Sequence, residues 1–209
     1  MARAYNFSAG PAVLPLEVLQ NAQKELVDYK GCGMSVMEMS HRGKDYDAIH
    51  QEAIATFKEL CGLGDDWSVC FIQGGASMQF AMIPMNFLGQ GKDADYAKQG
   101  TWSGKALKEG QKVAELRGVK CNVAADCAKD IPTRMPRVGE WKWSDNAAYC
   151  HICSNETIAG AELKEFPKVN APLICDMSSD ILSCERDYSQ FDLFYAGAQK
   201  NLGPSGMAV

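Results

Sequence analysis

Three short stretches carry residues whose types and spacing could do chemistry together. The first, Gln73-Gly74-Gly75-Ala76-Ser77, lies between the apolar run Val69-Cys70-Phe71-Ile72 and an apolar helical stretch. Glycines there let the backbone approach an anion closely. A helix N-terminus adds unpaired N–H groups and a favourable dipole, so a phosphate is the natural guest. The stretch is neither a Walker A loop nor a complete dinucleotide fingerprint, and a glycine pair also makes ordinary strand-to-helix turns. The second is Asp176, directly after Pro172-Leu173-Ile174-Cys175, where an acid equally serves to cap the next turn. The third is Lys200, within Ala196-Gly197-Ala198-Gln199-Lys200-Asn201-Leu202-Gly203 and just past another apolar run. An isolated lysine is by default a surface residue, but a tight loop of small residues brings one inward.

In open α/β sheets, ligands collect beyond the carboxyl ends of the strands. A phosphate cradle, an acid and a lysine on successive strand ends are the parts that a pyridoxal phosphate enzyme needs. The phosphate requires an anion site, the pyridine nitrogen a carboxylate that keeps it protonated, and the aldehyde a lysine for its Schiff base.

The elements that must position these residues follow from periodicity. Leu19, Ala22, Leu26 and Tyr29 recur at helical spacing, predicting an amphipathic helix from Leu16 to Tyr29 after an extended arm that contains Pro11 and Pro15. Residues 31–43 read as a loop. Ile49, Ala53, Phe57 and Leu60 make one face of a helix over 45–61, which Gly62 stops. Beyond it, strands are expected at 69–72, 120–125, 147–152, 173–175 and 193–195. Helices are expected at 78–88 (interrupted by Pro84), at 104–116 with Ser103 as N-cap, and near Leu163. Short apolar strands alternating with helices indicate an α/β fold, three layers (α-β-α) around a mostly parallel central sheet. Gly203-Pro204-Ser205-Gly206 followed by Met207-Ala208-Val209 reads as a strand being entered. A domain rarely finishes there, so the sequence is expected to be the N-terminal portion of a longer protein.

Composition narrows the partners. Hydrophobic residues make up 46% of the 209 residues and charged ones 22%, which suits a globular chain and not a disordered one. With 21 Lys and Arg against 26 Asp and Glu, the net charge of −5 and the lack of a basic run argue against nucleic-acid binding. No apolar run is long enough to span a bilayer, and Met1 to Gly10 lacks the apolar stretch of a secretory signal, so a cytoplasmic location is expected. Nine cysteines then read as free thiols, with Cys61, Cys70, Cys121, Cys150 and Cys175 as small buried hydrophobes. Cys150-His151-Ile152-Cys153 looks like half a metal site, but it has no second pair at ligand spacing and reads as structural, with no metal expected.

Several ordered runs resemble one family. They are Asn6-Phe7-Ser8-Ala9-Gly10-Pro11-Ala12, residues 35–42 (Ser-Val-Met-Glu-Met-Ser-His-Arg), residues 74–80 (Gly-Gly-Ala-Ser-Met-Gln-Phe), Ser144-Asp145-Asn146-Ala147-Ala148-Tyr149, Asn155-Glu156-Thr157, Asp176-Met177-Ser178-Ser179 and residues 195–201 (Tyr-Ala-Gly-Ala-Gln-Lys-Asn). Over its whole length the chain resembles the phosphoserine aminotransferases, fold-type I pyridoxal phosphate enzymes of aminotransferase class V.

The resemblance implies roles residue by residue. Lys200 would form the Schiff base and shuttle the proton, Asp176 would partner the pyridinium nitrogen, and Trp102 would stack on the ring. Thr157 would place its hydroxyl near the ring, while Gly75, Ala76 and Ser77 would offer backbone N–H groups to the phosphate and Gln199 its side chain. His41 and Arg42 would reach into the neighbouring subunit's site of a homodimer and grip the substrate's acidic end, where a planar guanidinium suits phosphate or carboxylate. Some family members carry Arg where this chain has Ser77, and some carry Ser where it has Ala9, which leaves only backbone contacts to the substrate there. Residues 1–15 would be an arm packing with a small C-terminal domain, and 16–209 an incomplete cofactor-binding large domain.

The implied reaction is reversible transamination in serine biosynthesis, in which 3-phosphohydroxypyruvate and L-glutamate give O-phospho-L-serine and 2-oxoglutarate. Another class V aminotransferase, or a truncated non-catalytic cofactor-binding or dimerisation chain, is the alternative. If 209 residues were the whole polypeptide, little activity is expected.

Overall fold

Four of the apolar runs become strands of one sheet, joined by a fifth strand that carries a buried acid. The computed structural model describes residues 3–89, 91–128, 134–137 and 139–209. The chain divides into two units, Met1–Cys70 and Phe71–Val209.

In the first unit, residues 3–15 have no regular structure. Helix α1 spans Leu16–Glu25, one 3-10 turn spans Val36–Glu38, and α2 spans Lys44–Cys61. The expected helix to Tyr29 thus ends at Glu25. None of its residues is buried, so packing does not sustain a last turn that propensity alone holds only marginally. The 3-10 turn is capped at both ends of Ser35: Met37 N–H donates to its Oγ, and its own N–H donates to Glu38 Oε2.

The second unit runs β1 (Ile72–Gln73), α3 (Gly75–Phe87), β2 (Ala94–Lys98), α4 (Thr101–Arg117), β3 (Cys121–Asp126), β4 (Cys150–Cys153), β5 (Asn155–Glu156), β6 (Ala161–Glu162), β7 (Leu173–Asp176), β8 (Leu193–Tyr195) and β9 (Met207–Ala208). Five strands form a sheet in the order β3-β2-β4-β7-β8, with every neighbouring pair parallel. This is the α/β class with the parallel central sheet expected from the sequence. Cys153, Asp176 and Tyr195 stand level across β4, β7 and β8. The chain lays β3 on one side of β2 and β4 on the other, so the direction of winding switches between β2 and β4. Strand β9 pairs antiparallel with β1, and Ala208 bridges Gly197 just past β8.

Helices α3 and α4 pack together over Tyr96, Ile174 and Tyr195, contributing Phe80, Ile83, Leu107 and Val113 to a common core. Cys150-His151-Ile152-Cys153 is strand β4, buried throughout. His151 stacks on Tyr96 at 5.0 Å and bonds Tyr195 Oη at 3.0 Å. Burial pushes its imidazole down to about 3, so it works as a neutral core ring.

Besides the end of α1, several sequence expectations need correction. Strand β2 was not foreseen, because Asp95 breaks its apolar pattern; the buried carboxylate accepts from Asn122 Nδ2 and from Ser144 Oγ. Residues 69–71 are not strand, and Cys70 is exposed while Cys121 is only half-buried. Leu163 follows a tight β5–β6 hairpin instead of lying in a helix, and its N–H donates to Ser154 O. Helix α3 starts at Gly75 instead of near Met78. Helix α4 starts at Thr101, before the expected Gly104, and Ser103 sits inside its first turn with Oγ accepting from Gln99 and Gly100 N–H.

Ile174→Ala should cost about 2–4 kcal/mol in urea unfolding, since the side chain is 1% exposed between both helices and Tyr195. A loss below about 1 kcal/mol would contradict this core.

Candidate active site

The chemically suggestive residues of the second unit gather at the carboxyl ends of the parallel strands. Asp176 ends β7, Gln199 and Lys200 follow β8, Thr157 follows β4 through the hairpin strand β5, and Trp102 lies in the helix turn after β2. The ends of β2 and β4 flank the winding switch, where such sheets open a crevice.

Direct contacts tie these groups together. Lys200 Nζ donates to Thr157 Oγ1 at 2.7 Å and stands 5.4 Å from the centre of the Trp102 ring. Asp176 Oδ1 accepts from Ser178 N–H (3.0 Å) and Ser178 Oγ (2.6 Å), and that hydroxyl in turn accepts from Gly197 N–H at 3.0 Å. Among the described residues nothing donates to Asp176 Oδ2. A Cβ added at Gly197 would stand 3.0 Å from Gln199 Oε1 and 3.3 Å from Ala76 N. The loop after β8 therefore closes onto the first turn of α3.

That turn owes its place to β9. Gly74 and Gly75 take left-handed φ values of +98° and +61°, which favour glycine. Gly74 N–H donates to Gly206 O at 2.8 Å, just before β9. The first four N–H groups of an α-helix have no intrahelical partner, and those of Gly75, Ala76 and Ser77 belong to this set. Free N–H groups at a helix start are the kind of group that accepts an anion.

Electrostatics set the acid and the amine apart from ordinary surface groups. Burial pushes the Asp176 carboxyl up to about 6; the Ser178 bonds and the Lys200 charge pull it back, while the Glu156 charge adds to the rise. Partial burial draws the Lys200 ammonium below its usual value, against the pull of Asp176. Such an amine gives up its proton more readily than a surface lysine.

Two supporting groups escaped the sequence reading. Glu156, fully buried, accepts from Trp102 N–H at 2.9 Å and Ser103 N–H at 2.8 Å. This remote carboxylate caps α4, which is why the helix starts a turn before its local pattern allows. Asp180 pairs with Arg186 at 2.8 Å in a buried bridge and accepts from Ser154 Oγ, which also bonds Asp176 O. The signal for Glu156 was present in the run Asn155-Glu156-Thr157. Its partners lie 53 and 54 residues away, beyond any local pattern.

Ala9, His41 and Arg42 belong to the first unit. All three are exposed, and Arg42 N–H donates to Ser40 Oγ at 3.2 Å in the turn before α2. Within the second unit, the structure brings together Ala76, Trp102, Thr157, Asp176, Gln199 and Lys200.

Comparison with known proteins gives concordant results. The profile of the family described as Aminotransferase class-V matches residues 4–209. A phosphoserine aminotransferase of Niallia circulans is 56% identical over 208 residues, covering 99% of this chain. One from Geobacillus kaustophilus is 52% identical over 209 residues. The chain spans 56% and 57% of the length of these two curated relatives. Among solved structures, a phosphoserine aminotransferase from Bacillus circulans subsp. alkalophilus superposes with a TM-score of 0.92 at 56% identity, covering 99% of this chain and 56% of that one. A PLP-bound phosphoserine aminotransferase from Trichomonas vaginalis does so at 0.92 and 44% identity, covering 99% and 57%.

The raised Asp176 pKa makes a signed prediction. A folded value of about 6 against an ordinary 3.8 means that the folded chain holds this proton more tightly. Its contribution is therefore fully present below about pH 4 and lost as pH rises through about 6. The stability difference between Asp176→Asn and the parent, from urea titrations, should move in the variant's favour across this window by up to about 3 kcal/mol, then level off. A difference that does not change with pH would contradict the burial of this charge.

Proposed function

The chain belongs to the class-V aminotransferase family, and on that premise we propose that the whole protein is a phosphoserine aminotransferase. In this reading it uses pyridoxal 5'-phosphate to interconvert 3-phosphohydroxypyruvate and L-glutamate with O-phospho-L-serine and 2-oxoglutarate. The observation that carries it is the convergence of a half-buried lysine, a buried acid and an indole ring beside the glycine-led start of α3. The names of the most similar relatives support the substrate.

The residues fit the cofactor. Among the described residues nothing donates to Asp176 Oδ2, which leaves it to accept a charge-assisted bond from a protonated ring nitrogen. The Gly75, Ala76 and Ser77 N–H groups, with the Gln199 side chain, suit the phosphate. Trp102 offers an aromatic face, and Thr157 a hydroxyl beside the lysine. When bound, pyridoxal phosphate supplies the electron sink that makes the substrate Cα–H acidic. Lys200 then holds and moves the proton, a task that its lowered pKa favours.

Two half-reactions sharing one site require a distal anion grip that takes either a phosphate or a carboxylate. Arg42 and His41 are exposed donors suited to that task, reaching the site of the partner subunit in a homodimer, with Ala9 contributing backbone only. Residues 1–15 would serve as an arm and 16–209 as the cofactor-binding domain. Among the described residues no helix is long and apolar enough to cross a membrane. The free thiols of all nine cysteines suit a reducing cytoplasm.

Purified protein mixed with pyridoxal phosphate should develop a visible absorbance band that O-phospho-L-serine bleaches and 2-oxoglutarate restores. Lys200→Ala should abolish the cycle. Arg42→Ala should weaken phosphoserine affinity by about tenfold while sparing cofactor affinity. A band indifferent to phosphoserine would overturn the reading and leave a cofactor-binding chain.

A further inference from the structure

We propose that Glu156 is a positioning residue that fixes the Trp102 ring against Lys200. The inference rests on the reading that Trp102 and Lys200 serve one cofactor. Both carboxylate oxygens are committed to a single turn of backbone: Oε2 to Trp102 N–H at 2.9 Å and Oε1 to Ser103 N–H at 2.8 Å. A carboxylate on the free N–H groups of a helix start is favoured by charge, by dipole and by hydrogen bonding together.

Polar contacts of the side chain itself do not fix the ring. Trp102 Nε1 is buried without a hydrogen-bond partner among the described residues. Two cations approach the ring, Lys105 Nζ at 4.4 Å and Lys200 Nζ at 5.4 Å from its centre. The helical pattern of the local sequence begins only at Gly104. Without the Glu156 carboxylate, the Trp102 and Ser103 N–H groups lose their acceptor, and a helix end so left frays.

The same hairpin also reaches the lysine. Thr157, the next residue, accepts the Lys200 Nζ hydrogen bond at 2.7 Å. One rigid segment thus holds the indole through its backbone and the amine through a hydroxyl, which sets the gap between them. The fit around the carboxylate is close: a Cβ on Gly100 would stand 2.7 Å from Glu156 Cδ and Oε2. Ser103 Oγ, accepting from Gly100 N–H at 2.9 Å, anchors the other side of this turn. An ordinary helix cap would come from a local Ser, Thr, Asp or Asn. Here an acid from across the winding switch does the work, at the one helix start that carries the stacking ring.

The test compares the parent chain with Glu156→Ala, Glu156→Gln and Gly100→Ala, each also in a Trp102→Phe background. Near-ultraviolet circular dichroism of the cofactor-free protein reads the indole pose, and pyridoxal phosphate titration reads its consequence. Glu156→Ala should change the near-ultraviolet spectrum, and the change should vanish in the Trp102→Phe background. Its pyridoxal phosphate Kd should rise by about tenfold. Glu156→Gln keeps one acceptor and should fall between. Gly100→Ala, which displaces the carboxylate without removing its charge, should reproduce the change and decides the matter if Glu156→Ala fails to fold. Variants with the parent's spectrum and parent-like Kd would overturn the positioning role. If the parent itself does not bind pyridoxal phosphate, the proposed function fails, while the Trp102-dependent spectral change still decides the role of Glu156.

Discussion

An acid and an amine drawn out of water at neighbouring strand ends form the constraint around which the second unit is organised. Burying a carboxylate is costly unless its oxygens are satisfied. Ser178 satisfies one oxygen of Asp176 twice over, and among the described residues nothing donates to the other. The backbone carbonyl of Asp176 is pinned by Ser154 N–H and Ser154 Oγ, and Ser154 is held by the buried Asp180–Arg186 pair. This scaffold holds Asp176 in a state that an unsupported carboxylate would escape by moving toward solvent. A site that must grip a cationic ring gains from such a carboxylate, because its interactions are strong where water is scarce.

The sheet explains why these groups meet. Parallel strands send all their carboxyl ends to one edge, so residues far apart in sequence converge there. The level register of Cys153, Asp176 and Tyr195 places the acid between the ends of β4 and β8 on that edge. The antiparallel β9 adds a second function: it bridges Gly197 on one flank and pairs with β1 on the other, tying the lysine loop to the glycine turn. The glycine turn and the loop bearing Lys200 are thereby linked through backbone hydrogen bonds that side-chain substitution leaves intact.

Much of this was legible in the sequence where local chemistry and local structure agree. Continuous apolar runs such as Leu173-Ile174-Cys175 and Leu193-Phe194-Tyr195 read correctly as strands, the first buried throughout and the second only at Tyr195, and Asp176 and Lys200 were conspicuous for following them. Reading failed where a distant partner overrode the local pattern. Strand β2 was hidden by Asp95, whose burial depends on Asn122 and Ser144. The start of α4 was misplaced because its cap is Glu156, and the region near Leu163 was misread because the β5–β6 hairpin is a local turn bonded to Ser154. The His41-Arg42 pair illustrates the opposite limit: only a family resemblance singles out two exposed turn residues, since nothing in their own spacing speaks of a ligand.

Two lysine amines lie near the Trp102 ring, Lys105 at 4.4 Å and Lys200 at 5.4 Å, yet only Lys200 also shares a site with Asp176. Borohydride reduction of the protein mixed with pyridoxal phosphate, followed by peptide mass mapping, separates them directly. The account predicts one pyridoxyl group per chain on Lys200, lost in competition with inorganic phosphate at high concentration. A label on Lys105, or spread over surface lysines with Lys200 unmodified, would contradict it.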